Sequence, residues 1–473
     1  MDPIRHLVLF FFYILFITKT NADVIVCKNL GAKIFLEPKD VVMVILSQKE
    51  GYHAAHADLT QKHIYEQASA MEKKSPKVVL SHKLDIKGSW MITPLLIYLS
   101  DQFPNAKWFF FCLENTVIQL AKLLIVLEKF DVSQNVWIGH ALYDHEPTII
   151  HHFAKNKKFK YPHVAAGFAM TFKLLKSLAR QISADKEPKI DFSIDASYEF
   201  ADFVLKSTNT RLTHVSKICI VSSSDCATYP RIFYQCNSPA VDKVFFAVKT
   251  CAKYHTDRIP VIKNTWTKYS INVGYFSDIA DHNLREAYVV ANTTEGHCAK
   301  TYGILQAASN LMKRYKFDWL VIADDDTIFS VARLLGLLTC YNPEHLIAIG
   351  ERYGFRMWDS HHGYQYLTGG AGIVLSAPLV REIIKPGVCE CPSATTPDDM
   401  YLFGFCLSRL GVELVHSSMF HQARPTDYAY AYLALQEPIS FHKFWMLDPE
   451  AVYDEWFAEA DSDLPKPPMH VEL

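Results

Sequence analysis

Two stretches of this chain write the same strand in two chemical versions, and that duplication limits the folds open to it more than any other feature. Trp319-Leu320-Val321-Ile322-Ala323-Asp324-Asp325-Asp326-Thr327 runs from an apolar strand into three carboxylates, and Trp108-Phe109-Phe110-Phe111-Cys112-Leu113-Glu114-Asn115-Thr116 keeps the Trp, the apolar run and the closing Thr while losing most of the acids. From Trp108 to Gly139 is 31 residues, and from Trp319 to Gly350 is also 31. Further on, Ala165-Ala166-Gly167-Phe168 answers Gly370-Ala371-Gly372-Ile373, and Ser193 to Tyr198 answers Thr396 to Tyr401. A repeat of about 210 residues is a duplicated domain, since solenoid units recur every ~20 to 50 residues.

Each copy opens on an apolar strand, Val41 to Leu46 and Val244 to Val248, and then alternates strand with helical stretches such as Thr116 to Leu127 and Thr301 to Tyr315. That alternation predicts an α/β fold of two tandem Rossmann-like domains with mostly parallel central sheets, and it puts ligands at the carboxyl ends of the strands. The expected boundaries are 23–238 for the first domain, 239–460 for the second and 461–473 for a Pro-rich tail. With half of its 473 residues hydrophobic, the chain can bury a core in each domain. A formal charge of −2 without a basic block argues against nucleic acid as a partner.

Met1 to Ala22, with its apolar run Leu7 to Ile17, reads as a cleaved signal peptide; Lys19 stops the run well short of the roughly 20 residues a span requires. After cleavage no membrane span is expected. The final His470-Val471-Glu472-Leu473 resembles a retrieval signal, which predicts residence in the lumen of the endoplasmic reticulum and a retrieval receptor as partner. Asn292-Thr293-Thr294 is a glycosylation sequon. Eleven cysteines leave at least one thiol unpaired, with Cys112 the candidate buried one, while Cys389 and Cys391 read as disulfide halves.

Four polar features follow one another in the second copy: Asp324-Asp325-Asp326, Gly369-Gly370-Ala371-Gly372, Asp398-Asp399 after Pro397, and His416 with Phe420-His421. Caps, turns and core contacts should survive duplication, whereas reactive groups need not. Asp324, Asp325 and Asp326 fall opposite Leu113, Glu114 and Asn115; Gly370 falls opposite Ala165, Asp399 opposite Ala196 and His421 opposite Cys219. The polar set is therefore separable from its frame. Oxygen ligands with one nitrogen suit Mn²⁺ or Mg²⁺ bridging protein carboxylates to a diphosphate. A glycine turn admits a substrate close to the backbone, and a spare carboxylate can take a proton from a hydroxyl. Metal, diphosphate and base together describe a nucleotide-sugar transferase.

Trp319 to Thr327, Gly369 to Gly372, Pro397 to Leu402, Phe420-His421, His421 to Pro425 and Pro438 to Lys443 resemble the Fringe-like β-1,3-glycosyltransferases of glycosyltransferase family 31, which use the GT-A fold. The resemblance covers nearly the whole chain, with a degenerate first domain. It implies Asp326 and His421, with Asp324, as metal ligands; Asp324 and Asp325 at the donor's ribose; Asp399 as the base; and Thr250, Asp278, Lys300, Gly370 and Gly372 around the nucleotide. Phe403 departs from the family, which often has Gly after Leu402. The activity implied is inverting transfer of glucose from UDP-glucose to O-linked fucose on thrombospondin type 1 repeats. Alternatives are transfer of GlcNAc or galactose, or a lumenal glycan-binding protein without catalysis.

Overall fold

The computed structural model describes residues 36–464 apart from 155–158, 187–188, 239, 271, 283, 285–286 and 360. The leader and the retrieval-like terminus lie outside the described residues.

The first half builds a six-stranded sheet from β1 (Val41–Leu46), β2 (Lys77–Leu80), β3 (Trp108–Leu113), β4 (Trp137–Gly139), β5 (Phe168–Thr171) and β6 (Thr213–His214), in the order β6-β4-β5-β3-β1-β2. The second half builds a seven-stranded sheet from β7 (Val244–Lys249), β8 (Val273–Ser277), β9 (Ala287–Val289), β10 (Trp319–Asp324), β11 (Ala348–Gly350), β12 (Ile373–Ser376) and β13 (Leu414–His416), in the order β9-β8-β7-β10-β12-β11-β13. Read from the opposite edge this is the first order with one strand added. The register repeats as well: Val41 pairs with Trp108 and Val244 with Trp319 in parallel, while Trp108 pairs with Thr171 and Trp319 with Ser376 antiparallel. Each sheet is mixed, because β5 and β12 run against their neighbours.

The central strands β1, β3, β7 and β10 are apolar along nearly their whole length because both faces are covered, as parallel sheets require. Side chains alternate along β7 and β10, so Val244, Phe246, Trp319 and Val321 join one core while Phe245, Ala247, Leu320 and Ile322 join another. The same division operates in the first half, with Val42 and Phe109 on one face and Val41 and Trp108 on the other.

The shared threonine has a structural job. Thr116 Oγ1 donates to the Ala165 carbonyl at 2.9 Å, and Thr327 Oγ1 donates to the Gly370 carbonyl at 2.9 Å. Each pins the turn leading into the antiparallel strand to the end of the strand that carries the Trp. Gly167 and Gly372 occupy that turn with φ of +91° and +88°, where a side chain would be strained. Gly372 is thus demanded by the frame, since its counterpart is kept.

The halves are joined along a continuous seam. Gln48 exchanges hydrogen bonds with the His416 backbone, at 2.9 and 2.7 Å, and the short strand Phe192–Ser193 pairs antiparallel with Arg352–Phe355, which also pairs with Tyr364–Leu367. Cys236 in the connection is bonded to Cys340, and Cys219–Cys226, Cys298–Cys391 and Cys389–Cys406 complete four disulfides among the described residues. Cys389 and Cys391 are disulfide halves as read, and Cys112 is buried and free.

The expected start of the tail needs correction. Asp461 is fully buried at the end of helix Ala458–Asp461, where its carboxylate accepts from Ser330 Oγ, the Val331 and Ala332 amides and the Tyr453 hydroxyl, at 2.8–3.2 Å. It caps helix Val331–Leu338 from a distance in sequence, and Leu464 still packs on the core.

Candidate active site

Strand geometry delivers the acids. β10 ends in Asp324, directly across the ladder from Lys249 at the end of β7, and the two make an ion pair of 2.9 Å. The corresponding pair in the first half is Leu46 opposite Leu113. Where the second half has a charge pair the first has two leucines, which separates the two sheets chemically at the place where ligands enter such folds.

Asp325 points inward and is 5% exposed; it accepts from Thr250 Oγ1 at 2.7 Å and from Arg258 at 2.7 Å. Burial raises its pKa despite those donors. Asp326 lies 3.0 Å from both Arg258 and His442 Nε2. Burial pushes its carboxyl up, but the His442 hydrogen bond and the His442 and Arg258 charges outweigh it and hold the group below the usual range.

The imidazole at this place is His442, and His421 is not part of the cluster. His421 is 1% exposed, with Nδ1 donating to the Ser440 carbonyl at 3.2 Å and Nε2 3.1 Å from the Gln436 side-chain amide. Burial drives its pKa down to about 4. Both ring nitrogens are engaged in the core, which leaves none for a cation. The strand Ser440–His442 pairs antiparallel with Thr327–Phe329, and the pairing of Thr327 with His442 carries the His442 ring to the acids. Gly370 makes room for it, because a Cβ there would lie 2.4 Å from the imidazole.

Asp324, Asp326 and His442 each offer a ligand atom within 4.8 Å of the others. The donor set fits Mn²⁺ or Mg²⁺, two hard oxygens with one nitrogen. His442 Nδ1 donates to the Gln422 carbonyl at 3.0 Å, which turns Nε2 toward the carboxylates; metal-ligating histidines are oriented in this way. Burial lowers the His442 pKa, yet the bond to Asp326 and the carboxylate charges raise it overall, so a bound cation would displace that proton.

The two aspartates after Pro397 divide their work. Asp398 accepts from Lys249 at 2.9 Å and Thr301 Oγ1 at 2.6 Å; burial opposes ionisation, but Lys249 outweighs it and the pKa falls. Among the described residues no cation forms an ion pair with Asp399. Burial, then the neighbouring Asp398 charge, raises it to about 6, and its Cβ lies 3.8 Å from where a Gly369 side chain would begin. The glycine turn and Asp399 therefore border one space.

Thr250, Asp278 and Lys300 also converge. The Lys300 ammonium donates to the Thr250 carbonyl, while Asp278 accepts from the Ala252 amide at 2.8 Å and from Ser277 Oγ at 3.1 Å. They frame the loop after β7, on the Asp325 side of the cluster.

Lys249, Arg258 and His442 were not singled out by the sequence reading. Lys249 could have been, as the polar end of an apolar strand with Leu46 at the matching place. His442 stood inside the segment Pro438 to Lys443, but only strand pairing shows where it goes.

The Fringe-like family model matches residues 240–462, the half that holds this cluster. Over 438 residues the chain is 41% identical to a β-1,3-glucosyltransferase of Mus musculus, covering 90% of this chain and 88% of that protein. A β-1,3-glucosyltransferase of Homo sapiens is 41% identical over 438 residues, covering 90% and 87%. The manic fringe β-1,3-N-acetylglucosaminyltransferase of Danio rerio is 30% identical over 202 residues, covering 38% of this chain and 55% of that protein. By likeness along nearly its whole length, and by the match of its second half, the chain belongs to the Fringe-like β-1,3-glycosyltransferases of glycosyltransferase family 31.

Proposed function

We propose that this protein is an inverting β-1,3-glucosyltransferase that moves glucose from UDP-glucose to the 3-hydroxyl of O-linked fucose on thrombospondin type 1 repeats. The observation that carries the mechanism is the contrast between Asp398, neutralised by Lys249, and Asp399, which holds its proton up to about 6. A carboxylate poised near neutrality is the better general base. Asp399 accepts the proton of the fucose hydroxyl as the oxygen bonds to the anomeric carbon and the bond to the diphosphate breaks. Inversion follows from one displacement without a covalent enzyme intermediate.

Asp324, Asp326 and His442 would hold Mn²⁺ or Mg²⁺, which supplies Lewis-acid stabilisation of the departing UDP. Lys249 fixes Asp324 and Asp398 together, and so ties the ligand set to the helix that carries the base. Thr250 and Arg258 hold Asp325, while Thr250, Asp278 and Lys300 form the nucleotide side. Gly370 and Gly372 shape the wall between them.

Glucose as donor sugar is supported by relatives that share 90% of the chain, whereas the fringe likeness covers 38%. The first half, with Leu46 and Leu113 where the second has Lys249 and Asp324, serves as a non-catalytic GT-A-like domain in this reading. Four disulfides suit an oxidising lumen, the leader and His470 to Leu473 suit the endoplasmic reticulum with retrieval by a receptor, and among the described residues no helix is long and apolar enough to cross a membrane.

The test is a donor screen on a fucosylated thrombospondin repeat with UDP-glucose, UDP-GlcNAc and UDP-galactose in Mn²⁺, read by mass spectrometry. Addition of a single hexose from UDP-glucose alone supports the reading. Transfer of GlcNAc or galactose instead assigns a fringe-type donor, and no transfer from any of them leaves a glycan-binding protein.

A further inference from the structure

Three strands carry one row of aromatic rings across the seam between the halves. In the ladder Phe355 lies directly opposite Phe192 on one side and Tyr364 on the other, so the three side chains stand on the same face. Their ring centres are 5.3 and 5.6 Å apart. The row continues onto the helical turns that follow Asp399, where Phe405 meets Tyr364 at 6.0 Å and stacks on Tyr401 at 5.8 Å. Gly404 permits that approach, since a Cβ there would lie 2.5 Å from Tyr366 Cβ and 3.1 Å from the Tyr364 ring.

One end of this face reaches the proposed base. Tyr366 follows Tyr364 by two residues along the strand, so it points the same way, and it is 5% exposed. Burial first, and then the Asp399 charge, raises both phenols, which sets the two rings beside that carboxylate. Asp398 meanwhile turns to Lys249 and Thr301. The rings therefore lie on the Asp399 side of this pair of acids, and the groups tied to the metal cluster on the Asp398 side.

The other end is open to solvent, with Phe192 40% and Phe405 41% exposed. Single exposed rings are ordinary on a protein surface, but a contiguous apolar face marks an interaction site. The guanidiniums of Arg356 and Arg409 stand over Phe355 and Phe405, at 5.2 and 5.8 Å. Aromatic rings with arginine are the residues enriched where proteins meet proteins.

We infer that this row holds the polypeptide that carries the acceptor fucose, an inference that rests on the function proposed above. A hydroxyl that gives its proton to Asp399 belongs to a sugar attached to a protein, and that protein rests on the surface beginning at the base. Continuity with Asp399 thus selects the acceptor over a second copy of this chain. A bare sugar fills only the start of the row, because small ligands are held in concave sites and these rings run on along a sheet face into the first half. Phe192 belongs to that first half, so the half without the metal cluster takes part in holding the acceptor.

The experiment compares two acceptors on the full chain with UDP-glucose and Mn²⁺: a folded fucosylated thrombospondin repeat and p-nitrophenyl α-L-fucoside. Phe192→Ser and Phe405→Ser each remove an exposed ring, with folding checked by thermal melting; should one not fold, the other decides. Each should raise KM for the repeat about tenfold with kcat held, and leave kcat/KM for the small fucoside as in wild type. Binding of the repeat to immobilised protein, in UDP and Mn²⁺, should weaken by the same factor. That measurement needs no turnover, so a wild type that binds the repeat yet moves no glucose defeats the proposed function while the variants still decide the surface. A repeat that wild type does not bind, folded variants that bind it as wild type does, or equal losses on both acceptors would overturn the inference. So would self-association that Phe192→Ser abolishes with repeat kinetics unchanged, which gives the face to a second copy.

Discussion

Replacement of the proposed base by its neutral isostere, Asp399→Asn, should make the protein more stable and less active at once. Burial and Asp398 raise the Asp399 pKa from 3.8 to about 6. At about 1.36 kcal/mol for each pH unit, ionising Asp399 is about 3 kcal/mol harder in the fold than in the unfolded chain. The sign follows from proton uptake: between pH 3.8 and 6 the folded state holds the proton and the unfolded state does not. Stability contributed by the group is therefore present below pH 3.8 and is lost as pH rises through 6. Above that, wild type carries the whole penalty and Asn carries none, so Asp399→Asn should melt about 6 to 12 °C higher at pH 8 and show almost no difference near pH 4. In the same preparations, transfer to a fucosylated acceptor should fall by about 10² to 10⁴, and wild-type kcat/KM should rise with pH to a plateau above about 6. A variant no more stable than wild type at pH 8, or one that retains near-normal transfer, refutes the assignment.

The two histidines should separate cleanly. His442→Ala should abolish Mn²⁺-dependent UDP binding in calorimetry with little change in melting. His421→Ala should instead lose about 1–3 kcal/mol of stability in urea titration, with UDP binding retained by the folded fraction. Lys249→Met leaves Asp324 and Asp398 facing each other without their shared cation, and chemical denaturation should show a loss of about 3–5 kcal/mol. Asp461→Ala withdraws the acceptor for Ser330, Val331 and Ala332, and should cost about 1–3 kcal/mol in the same assay.

The frame was legible because its signals are local. An apolar run that ends in acids marks a buried strand and its carboxyl end, and the 31-residue spacing from Trp to Gly, read as a duplication, recurs as the span from the start of β3 to the end of β4 and from the start of β10 to the end of β11. Asp399 was legible for the same reason, as a carboxylate that the first copy lacks. The wrong histidine had a physical cause too. His421 and His442 both lie near the Thr327–Phe329 strand, and only the antiparallel register decides which ring reaches the acids. Arg258 reaches Asp325 and Asp326 from a helix beyond the end of β7, and Asp461 reaches Ser330 across the domain; neither leaves a trace in spacing.

The comparison of the halves also explains which residues a duplicated fold can discard. Thr116 and Thr327, or Gly167 and Gly372, meet demands of the backbone itself, and both copies keep them whatever chemistry is done nearby. Acids at strand ends meet no such demand. Packed together they resist ionisation, as the raised Asp325 and Asp399 show, and they need Lys249 and Arg258 to be tolerated. A sheet that holds no such chemistry gains from apolar residues there, and Leu46 and Leu113 stand at those places in the first half. Glu114 remains, and it remains matched by His53.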